Sequence, residues 1–316
     1  MNNAILQFND SVNKNVNRMI NICNANDNVV NNELKLSPID DAFHELKIPI
    51  DRISTGYLEV DELFGEFVNG EYQMGFRRKD ILIIAGMSGI GKTSFAFSIF
   101  ANLYRQKRKC VFFSLDMRSE KTWDCFKNAL SGYHTDKFTF ADDIALNGDH
   151  PMIVAHNGMI NVKQIDNFLK DKQIEVIFID YIDYLEPSKK DTSDAANFKN
   201  LFLELKALTN KHNCAIVLLS QSMEDKHYRS GRPSLGSLYG GKAVRSAVDH
   251  VLAVYRNSKY NDKLTTENKN VTEIIALKLR SNSTNDKVFL KHKNGKILSM
   301  SEIEIANYKD NLLNGC

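Results

Sequence analysis

The spacing of apolar residues along this chain changes near residue 51. Before it, apolar side chains from Ile5 to Cys23 recur at steps of three and four, the period of an amphipathic helix. A polar, asparagine-rich connector follows, and SPIDDAFHELK then predicts a second short helix, because serine can cap its start and proline suits its first position. Its narrow apolar stripe consists of Ile39, Phe43 and Leu46. We expect this stripe to pack on the chain's own body or on a neighbouring subunit, because a short isolated helix cannot fold alone.

From residue 51 onwards, short apolar runs alternate with helical stretches. The runs are DILIIAG, CVFFSLD, MIVAHN, EVIFIDYI, AIVLLSQ and HVLAVYR. Continuous runs of this kind, rich in β-branched and aromatic residues, are typical of a mostly parallel sheet buried on both faces. Helices are predicted between them at 93–107, 119–131, 161–172 and 192–212. A final hairpin is predicted to turn at Asn294–Gly295. The pattern therefore predicts an α/β domain with a central sheet flanked by helices, after a short helical N-terminal extension.

Composition and charge restrict where the protein acts and what it binds. The formal net charge of +2 and the pI near 8.1 are too small to indicate nucleic-acid binding by themselves. Five scattered cysteines lack metal-binding spacing, which is typical of reduced thiols. The opening residues lack the apolar core of a signal peptide, and no apolar stretch approaches the ~20 residues of a membrane span. We therefore expect a cytoplasmic protein with no membrane partner.

The strongest chemical signal is GMSGIGKT, residues 86–93, between a predicted strand and a predicted helix. Its spacing matches a P-loop, in which glycines let backbone N–H groups wrap phosphates and the helix N-terminus adds positive potential. We expect ATP as the ligand, with Lys92 on its β- and γ-phosphates and Thr93 on Mg²⁺. The residues of the predicted cradle are Gly86, Met87, Ser88, Gly89, Ile90, Gly91, Lys92 and Thr93.

Two aspartates at the ends of predicted strands complete the candidate site. Asp180 ends EVIFID, and we expect its strand to lie beside the P-loop strand, with its carboxylate in the magnesium shell. Asp183, three residues further on, is a competitor for this role. Asp116 ends the strand after the P-loop helix. RecA-like P-loop proteins often place there the carboxylate that orients the attacking water.

Six segments resemble, in order, motifs of the replicative ring helicases of the DnaB type. STGYLEVDELFG is similar to their PTGFxxLD, SLDM to SLEM, FIDYIDYL to DYLQL, and LLSQ to their sensor strand. RPSLGSLYGGKAVRSAVDHVLAVYR resembles RPxxSDLRESGxIEQDADxxxxLYR, and IIALKLRSNSTN resembles xxxAKQRNGPTG. The resemblance covers roughly residues 51 to 300 and implies a RecA-like P-loop NTPase.

The resemblance also implies roles for particular residues. Gln221 would lie near the γ-phosphate, and Arg256 near the nucleotide base. Lys278 and Arg280 would project into the ATP site of the next subunit. The segment 236–245 corresponds to the central-channel loop that touches single-stranded DNA, where glycines allow close approach and basic or aromatic side chains can meet phosphates or bases. The candidate DNA contacts are Tyr239, Gly240, Gly241, Lys242 and Arg245.

The resemblance thus implies an ATP-driven hexameric ring that translocates on single-stranded DNA, 5′ to 3′, and unwinds forked DNA in replication. A separate primase or loader is a further candidate partner. We expect the protein to act in a bacterial cell or a phage-infected host. Two alternatives stay open. One is a RecA- or KaiC-like ATPase that assembles without unwinding, and the other is a weakly active accessory ATPase that binds DNA or a helicase.

Two departures from the family pattern keep these alternatives open. Asp116 replaces a glutamate, so its carboxylate is shorter, and small displacements of a catalytic group can cost up to ~10²-fold in rate. The large N-terminal collar domain that contacts primase in the family cannot fit in the extension 1–35, which is typical of small phage or plasmid members. We divide the remainder into a linker helix (36–50), a RecA-like ATPase domain (51–305) and a C-terminal tail (306–316).

Overall fold

The computed structural model describes residues 51–131, 151–222, 232–238, 246–260, 268–280, 286–293 and 296–314. All of them belong to one compact unit, Ile50–Cys316. The two helices predicted upstream of residue 51, the turn Asn294–Gly295 and most of the predicted DNA loop lie outside the described residues.

The described residues form strands and helices in the alternation that the sequence predicts. In chain order the strands are β1 (Arg52–Ile53), β2 (Glu66–Val68), β3 (Glu71–Gln73), β4 (Phe76–Arg77), β5 (Ile81–Gly86), β6 (Cys110–Ser114), β7 (Met152–Ala155), β8 (Ile160–Asn161), β9 (Val176–Asp180), β10 (Leu185–Glu186), β11 (Ala215–Gln221), β12 (His250–Tyr255), β13 (Val271–Lys278), β14 (Lys287–Lys293) and β15 (Lys296–Ser299). The helices are α1 (Leu58–Leu63), α2 (Lys92–Arg105), α3 (Ser119–Ser131), α4 (Val162–Leu169), α5 (Asp194–His212) and α6 (Glu302–Asn314).

Within this part of the chain, one sheet of nine strands has the order β15-β14-β13-β12-β5-β11-β9-β6-β7. The strands from β12 to β7 pair in parallel, and β12 to β15 pair antiparallel. The predicted mostly parallel sheet and its final antiparallel hairpin are therefore confirmed. One expectation was wrong: β9, which ends on Asp180, does not lie beside the P-loop strand β5. Strand β11 lies between them, because it pairs with β5 on one side and β9 on the other.

The sheet is buried on both faces, as its continuous apolar runs predict. Leu82 and Ile84 of β5 face a core that includes the phenylalanines of α2, whereas Ile81 and Ile83 face a second core that includes apolar residues of α4 and α5. Side chains alternate between the faces because successive residues of a strand point in opposite directions. This two-sided burial holds β5 rigidly, so the loop that follows it has a fixed base.

The segment before the P-loop strand is tied to the P-loop helix. Asp61 accepts hydrogen bonds from the Thr55 backbone N–H and hydroxyl, both at 2.7 Å, and Asn102 of α2 donates through Nδ2 to the Thr55 carbonyl at 3.0 Å. Gly56 has φ +83°, and a Cβ there would lie 2.4 Å from Asn102 Nδ2. The STGYLEVD motif thus docks this segment against α2.

The C-terminal helix α6 begins before residue 306, where we predicted a tail, and continues to Asn314. Its Tyr308 is buried against Val271 and Phe289. No helix in the described ranges has both the length and the apolar composition needed to cross a bilayer.

Candidate functional site

The loop between β5 and α2 has the backbone that a phosphate cradle requires. Gly89 and Gly91 have φ +69° and +112°, values that L side chains rarely adopt. Gly86 lies so close to β12 that a Cβ on it would be 2.9 Å from the Val254 carbonyl oxygen. Glycine is therefore needed at all three positions for local reasons, and helix α2 begins directly after Gly91.

Lys92, the first residue of α2, folds back over this loop. Its Nζ donates a hydrogen bond to the Met87 carbonyl oxygen at 2.9 Å. Burial lowers the pKa of Lys92, while the nearby charges of Asp180 and Asp183 raise it. A partly desolvated ammonium beside an anion cradle gains strongly from a bound phosphate.

Thr93 and Asp180 meet at the base of the loop. Thr93 Oγ1 of α2 donates to Asp180 Oδ2 at 2.9 Å, although β9, which ends on Asp180, is separated from the P-loop strand β5 by β11. A hydroxyl and a carboxylate side by side suit Mg²⁺, which takes one or two protein ligands and completes its shell with water and nucleotide phosphates. The described residues contain no cluster of three or more histidine, cysteine or acidic side chains that could hold a metal alone.

Asp180 is only 6% exposed, and its environment sets up a pH dependence. Its pKa is raised to about 6, chiefly by burial and also by the charge of Asp116. The Thr93 hydrogen bond and the Lys92 charge act in the opposite direction and lower the pKa. A carboxyl whose folded-state pKa is raised stabilises the fold most below its unfolded pKa. That contribution is lost as the pH rises through the folded-state value.

We therefore predict that the nucleotide-free, magnesium-free protein loses stability between pH 4 and pH 6, by at most about 3 kcal/mol. Asp180→Asn should flatten this dependence because the amide does not titrate. Thermal unfolding across the pH range tests it, with Asp124→Asn on the exposed face of α3 as the control. Equal pH profiles for Asp180→Asn and the unchanged protein would contradict the assignment.

Asp116 lies just beyond β6 and is exposed, with a partner that sequence analysis did not identify. Tyr184 donates its hydroxyl to Asp116 Oδ1 at 3.1 Å. The Tyr184 ring packs edge-on against Tyr181, with centroids 5.0 Å apart. Only the tertiary structure could reveal this contact, because the two residues are 68 positions apart. The hydrogen bond engages one oxygen of the short carboxylate.

Asp183, the predicted competitor of Asp180, lies in the turn after β9. Burial raises its pKa, and its Oδ1 is buried without a hydrogen-bond partner among the described residues. Asp180, by contrast, is bonded to Thr93. The structure therefore brings Asp180, and not Asp183, into contact with the P-loop threonine.

Gln221 ends β11 next to the P-loop. The strand register pairs it with Gly86, and the following Ser222 N–H donates to the Gly86 carbonyl at 3.0 Å. Ser222 also forms an isolated antiparallel bridge with Leu238. One strand end thus contacts both the P-loop and the residue that precedes the predicted DNA contacts. Those contacts, residues 239–245, lie outside the described residues and stay predictions.

Arg256 follows β12 at the P-loop end of the sheet. Its Nη2 donates to the Lys269 carbonyl at 3.1 Å, and burial lowers its pKa. A residue that the sequence analysis missed contacts the loop: the Tyr260 hydroxyl lies 2.6 Å from Met87 Sδ, and its ring stacks on Tyr255. An aromatic side chain so near a P-loop could be recognised only from the fold.

Lys278 and Arg280 lie away from this cluster. Strand β13 runs antiparallel to β12, and β12 runs parallel to β5, so β13 ends near the start of β5. Arg280 forms an ion pair with Asp249, which accepts a hydrogen bond from the N–H of Ile81. Strand β5 begins at Ile81 and ends at Gly86, and at the usual rise per strand residue these two residues are roughly 17 Å apart. Arg280 therefore cannot reach the P-loop of its own chain.

Comparison with known proteins gives one family. The model of the DnaB-like helicase C-terminal domain matches residues 53–297. The replicative DNA helicase DnaC of Bacillus subtilis (strain 168) is 26% identical over 258 residues, which cover 75% of this chain and 54% of that protein. A probable plasmid replicative DNA helicase of Chlamydia psittaci is 26% identical over 253 residues, covering 74% and 52%. The chain spans about half the length of the curated relatives it matches.

Two solved structures share the fold. One is an isolated ATPase domain, which superposes with a TM-score of 0.67 at 20% identity, covering 84% of this chain and 100% of that one. The other is a DnaB-like replicative helicase, studied with its interactions with primase, which gives a TM-score of 0.66 at 20% identity, covering 84% and 68%. The RecA-like P-loop fold predicted from the sequence is confirmed.

Proposed function

This chain belongs to the DnaB-like helicase C-terminal domain family, and from that premise we propose that it is the motor of an ATP-driven DNA helicase. Its subunits would form a ring, hexameric by resemblance, that moves on single-stranded DNA and separates the strands of a fork during replication. The polarity, 5′ to 3′, follows from the same resemblance.

The observation that carries this proposal is the separation of two half-sites at opposite ends of one sheet. Lys92, Thr93 and Asp180 are gathered at the P-loop end, whereas Arg280 is exposed near the opposite end. A cation that assists phosphoryl transfer must approach the γ-phosphate, so these two halves can work together only between subunits. A ring supplies that arrangement at every interface.

Each half-site has a defined chemical task. Bound ATP with Mg²⁺ supplies the phosphoanhydride and the charge that polarises it. The P-loop N–H groups and Lys92 would bind the β- and γ-phosphates, and Thr93 and Asp180 would hold the metal. Asp116 would orient the attacking water, with Gln221 near the γ-phosphate. Lys278 and Arg280 of the next subunit would stabilise the negative charge that develops on the transferred phosphoryl group.

The proposed partners are single-stranded and forked DNA, further copies of this chain, and a separate primase or loader. The bridge between Ser222 and Leu238 supports a link between nucleotide and DNA, because it joins the strand beside the P-loop to the segment that leads into residues 239–245. A shift of the P-loop on ATP hydrolysis would be transmitted through the end of this strand to residues 239–245.

A strand-separation assay tests the proposal. The chain is incubated with ATP and Mg²⁺ on a forked duplex carrying both single-stranded tails, with a blunt duplex of the same sequence as control. We expect unwinding of the fork alone, and none with a non-hydrolysable ATP analogue. Hydrolysis stimulated by DNA without strand separation would favour the RecA- or KaiC-like alternative. Feeble hydrolysis that DNA does not stimulate would favour an accessory ATPase.

We predict that Asp116→Asn lowers kcat for ATP hydrolysis by about 10²-fold or more and leaves ATP affinity nearly unchanged, because it removes the water-orienting carboxylate and spares the cradle. Steady-state kinetics and nucleotide-binding titration give the two quantities. Tyr184→Phe is the matched variant: it keeps the ring but frees the carboxylate, so we expect a smaller fall in kcat. A variant Asp116→Asn with unchanged kcat would exclude this role.

Asp116→Glu tests whether the short side chain limits turnover. If it raises kcat, the carboxylate of the present enzyme lies short of its best position. If it abolishes activity, the surroundings of Asp116, including Tyr184, have adapted to aspartate. In the second case, recovery of activity when Tyr184→Phe is added to Asp116→Glu would identify the Tyr184 hydroxyl as the group that the longer side chain meets.

A further inference from the structure

Asp249 is a fully buried carboxylate at the end of the sheet remote from the P-loop. Its Oδ2 accepts hydrogen bonds from the Ile81 N–H at 2.7 Å and from Lys206 Nζ at 3.1 Å. Lys206 also donates to the Lys79 carbonyl at 2.8 Å, so it is held in place independently. One oxygen of Asp249 is thus hydrogen-bonded to Ile81, the first residue of the P-loop strand.

The other oxygen of Asp249 faces Arg280. Arg280 Nη2 lies 2.7 Å from Oδ1, and the arginine side chain is 63% exposed while the aspartate is 0% exposed. Among the described residues Oδ1 has no hydrogen-bond donor of good geometry, so Arg280 provides the charge that compensates it. The contact is therefore an ion pair with one buried and one exposed partner.

The residues on either side of Asp249 also hold this region. The Arg280 N–H donates to His250 Nδ1 at 3.4 Å, and Lys278 Nζ donates to the Val248 carbonyl at 2.6 Å. Three consecutive residues, 248–250, therefore contact the backbone of Arg280 and the side chains of both Lys278 and Arg280. Because Asp249 is hydrogen-bonded to β5, residues 248–250 connect the end of β13 to the P-loop strand.

We propose that Asp249 is a positioning residue for hydrolysis in the neighbouring subunit. Its carboxylate pairs with one terminal nitrogen of the Arg280 guanidinium, and most of the arginine side chain stays exposed. A guanidinium has five donors in a rigid fork, so it can contact a carboxylate on one edge and a phosphate on another. Holding the long side chain beforehand removes conformational freedom that would otherwise be lost at the moment of reaction. This role rests on the proposed function, in which Arg280 serves the next subunit's ATP.

The competing explanation is that Asp249 only stabilises its own subunit through Ile81 and Lys206. The two explanations differ in where the defect of a variant lies. A purely structural defect would disturb β5 and hence the ATP site of the same chain. A positioning defect would impair the ATP site of the neighbouring chain and leave its own site intact.

Asp249→Asn is the informative variant, because the amide oxygen can still accept from Ile81 while the charge that faces Arg280 is lost. We expect kcat to fall at least about tenfold, since a misplaced catalytic group can cost up to ~10²-fold, with KM for ATP nearly unchanged. Lys206→Met is the matched control: it removes the other cation on Asp249 without touching Arg280, and should keep kcat. Combining Asp249→Asn with Arg280→Ala should cost no more than Arg280→Ala alone.

Mixed rings locate the defect. Asp249→Asn subunits are mixed with Lys92→Ala subunits, which have no working P-loop but carry an intact Asp249 and Arg280. Rescue of ATP hydrolysis is expected where a Lys92→Ala subunit presents its arginine to the P-loop of an Asp249→Asn subunit. Absence of rescue, under conditions where Arg280→Ala subunits are rescued, would overturn the proposal. So would a kcat for Asp249→Asn equal to that of the unchanged protein.

Arg280→Lys gives a second test that changes no buried group. A lysine ammonium is a point charge and cannot contact Asp249 and a phosphate through two separate edges, so we expect kcat to fall at least about tenfold. A lysine as active as the arginine would overturn the proposal even if Asp249→Asn does not fold. If Arg280→Ala itself keeps full hydrolysis, the proposed function fails. If Arg280→Ala loses hydrolysis while Asp249→Asn keeps it, only the role of Asp249 fails.

Discussion

Arg280→Ala is expected to bind ATP nearly normally and to hydrolyse it about 10³-fold or more slowly, the range seen when an arginine supplied in trans is removed from a phosphoryl-transfer site. The variant keeps its own P-loop, because Arg280 lies at the opposite end of the sheet from Lys92 and contacts Asp249 instead. The subunit should stay folded, because buried Asp249 keeps its ion pair with Lys206 and its hydrogen bond from the Ile81 N–H. Nucleotide-binding titration and steady-state hydrolysis, measured on the same preparation, separate binding from turnover.

Mixing Arg280→Ala with Lys92→Ala subunits is expected to restore part of the activity. In a mixed ring, an Arg280→Ala subunit has a complete P-loop and can receive the arginine of a Lys92→Ala neighbour. The control is a mixture of Lys92→Ala with Asp180→Asn, two variants that are defective on the same side of the interface and cannot complement. A mixture no more active than its parts, with subunit exchange verified by differently labelled chains, would show that Lys278 and Arg280 are ordinary strand surface.

Lys92→Ala is expected to lower ATP hydrolysis by about 10³-fold or more, because removal of even one preorganised donor to a developing charge costs about 10²- to 10³-fold. We expect Lys92→Ala to weaken ATP binding as well, since the Lys92 ammonium is partly desolvated beside the predicted cradle. The fold should persist, because the Lys92 ammonium bonds to the Met87 carbonyl within the same loop. Circular dichroism and thermal unfolding check folding, and a hydrolysis assay checks activity.

The matched control for Lys92→Ala is Lys121→Ala on helix α3, which removes an equal charge from an exposed position. We expect that control to hydrolyse ATP normally. Hydrolysis at the full rate by folded Lys92→Ala would exclude the P-loop as the catalytic cradle. Loss of hydrolysis in both Lys92→Ala and Arg280→Ala, together with recovery when the two variants are mixed, would support a site shared between subunits.

Features that depend on neighbouring residues in the chain could be read from the sequence. The P-loop needs glycines at set positions between a strand and a helix, and the structure has positive φ at Gly89 and Gly91 and no room for a side chain at Gly86. The apolar runs predicted the strands because a strand buried on both faces has no polar side to present. The run AIVLLSQ, which the sequence predicts as a strand, has the same bounds as β11, Ala215–Gln221.

Strand order could not be read in this way, because it depends on which strands pair across long sequence separations. We expected the strand of Asp180 to neighbour β5, yet β11 lies between them, and Asp180 still reaches Thr93. The contact of Tyr184 with Asp116 and that of Tyr260 with Met87 likewise join residues from distant segments. Nothing in the local pattern around Tyr184 or Tyr260 identifies its partner.

The sequence by itself determined the P-loop cradle and the apolar strands. It also carries the resemblance that implies a role for Lys278 and Arg280 in the ATP site of the next subunit. Only the tertiary structure decided that Arg280 lies at the opposite end of the sheet from Gly86, held by a buried Asp249. The physical reason is the antiparallel pairing of β13 with β12, which returns the chain toward the start of β5. Local residue types encode which strand forms, whereas the direction of a strand in the sheet results from the packing of the whole chain.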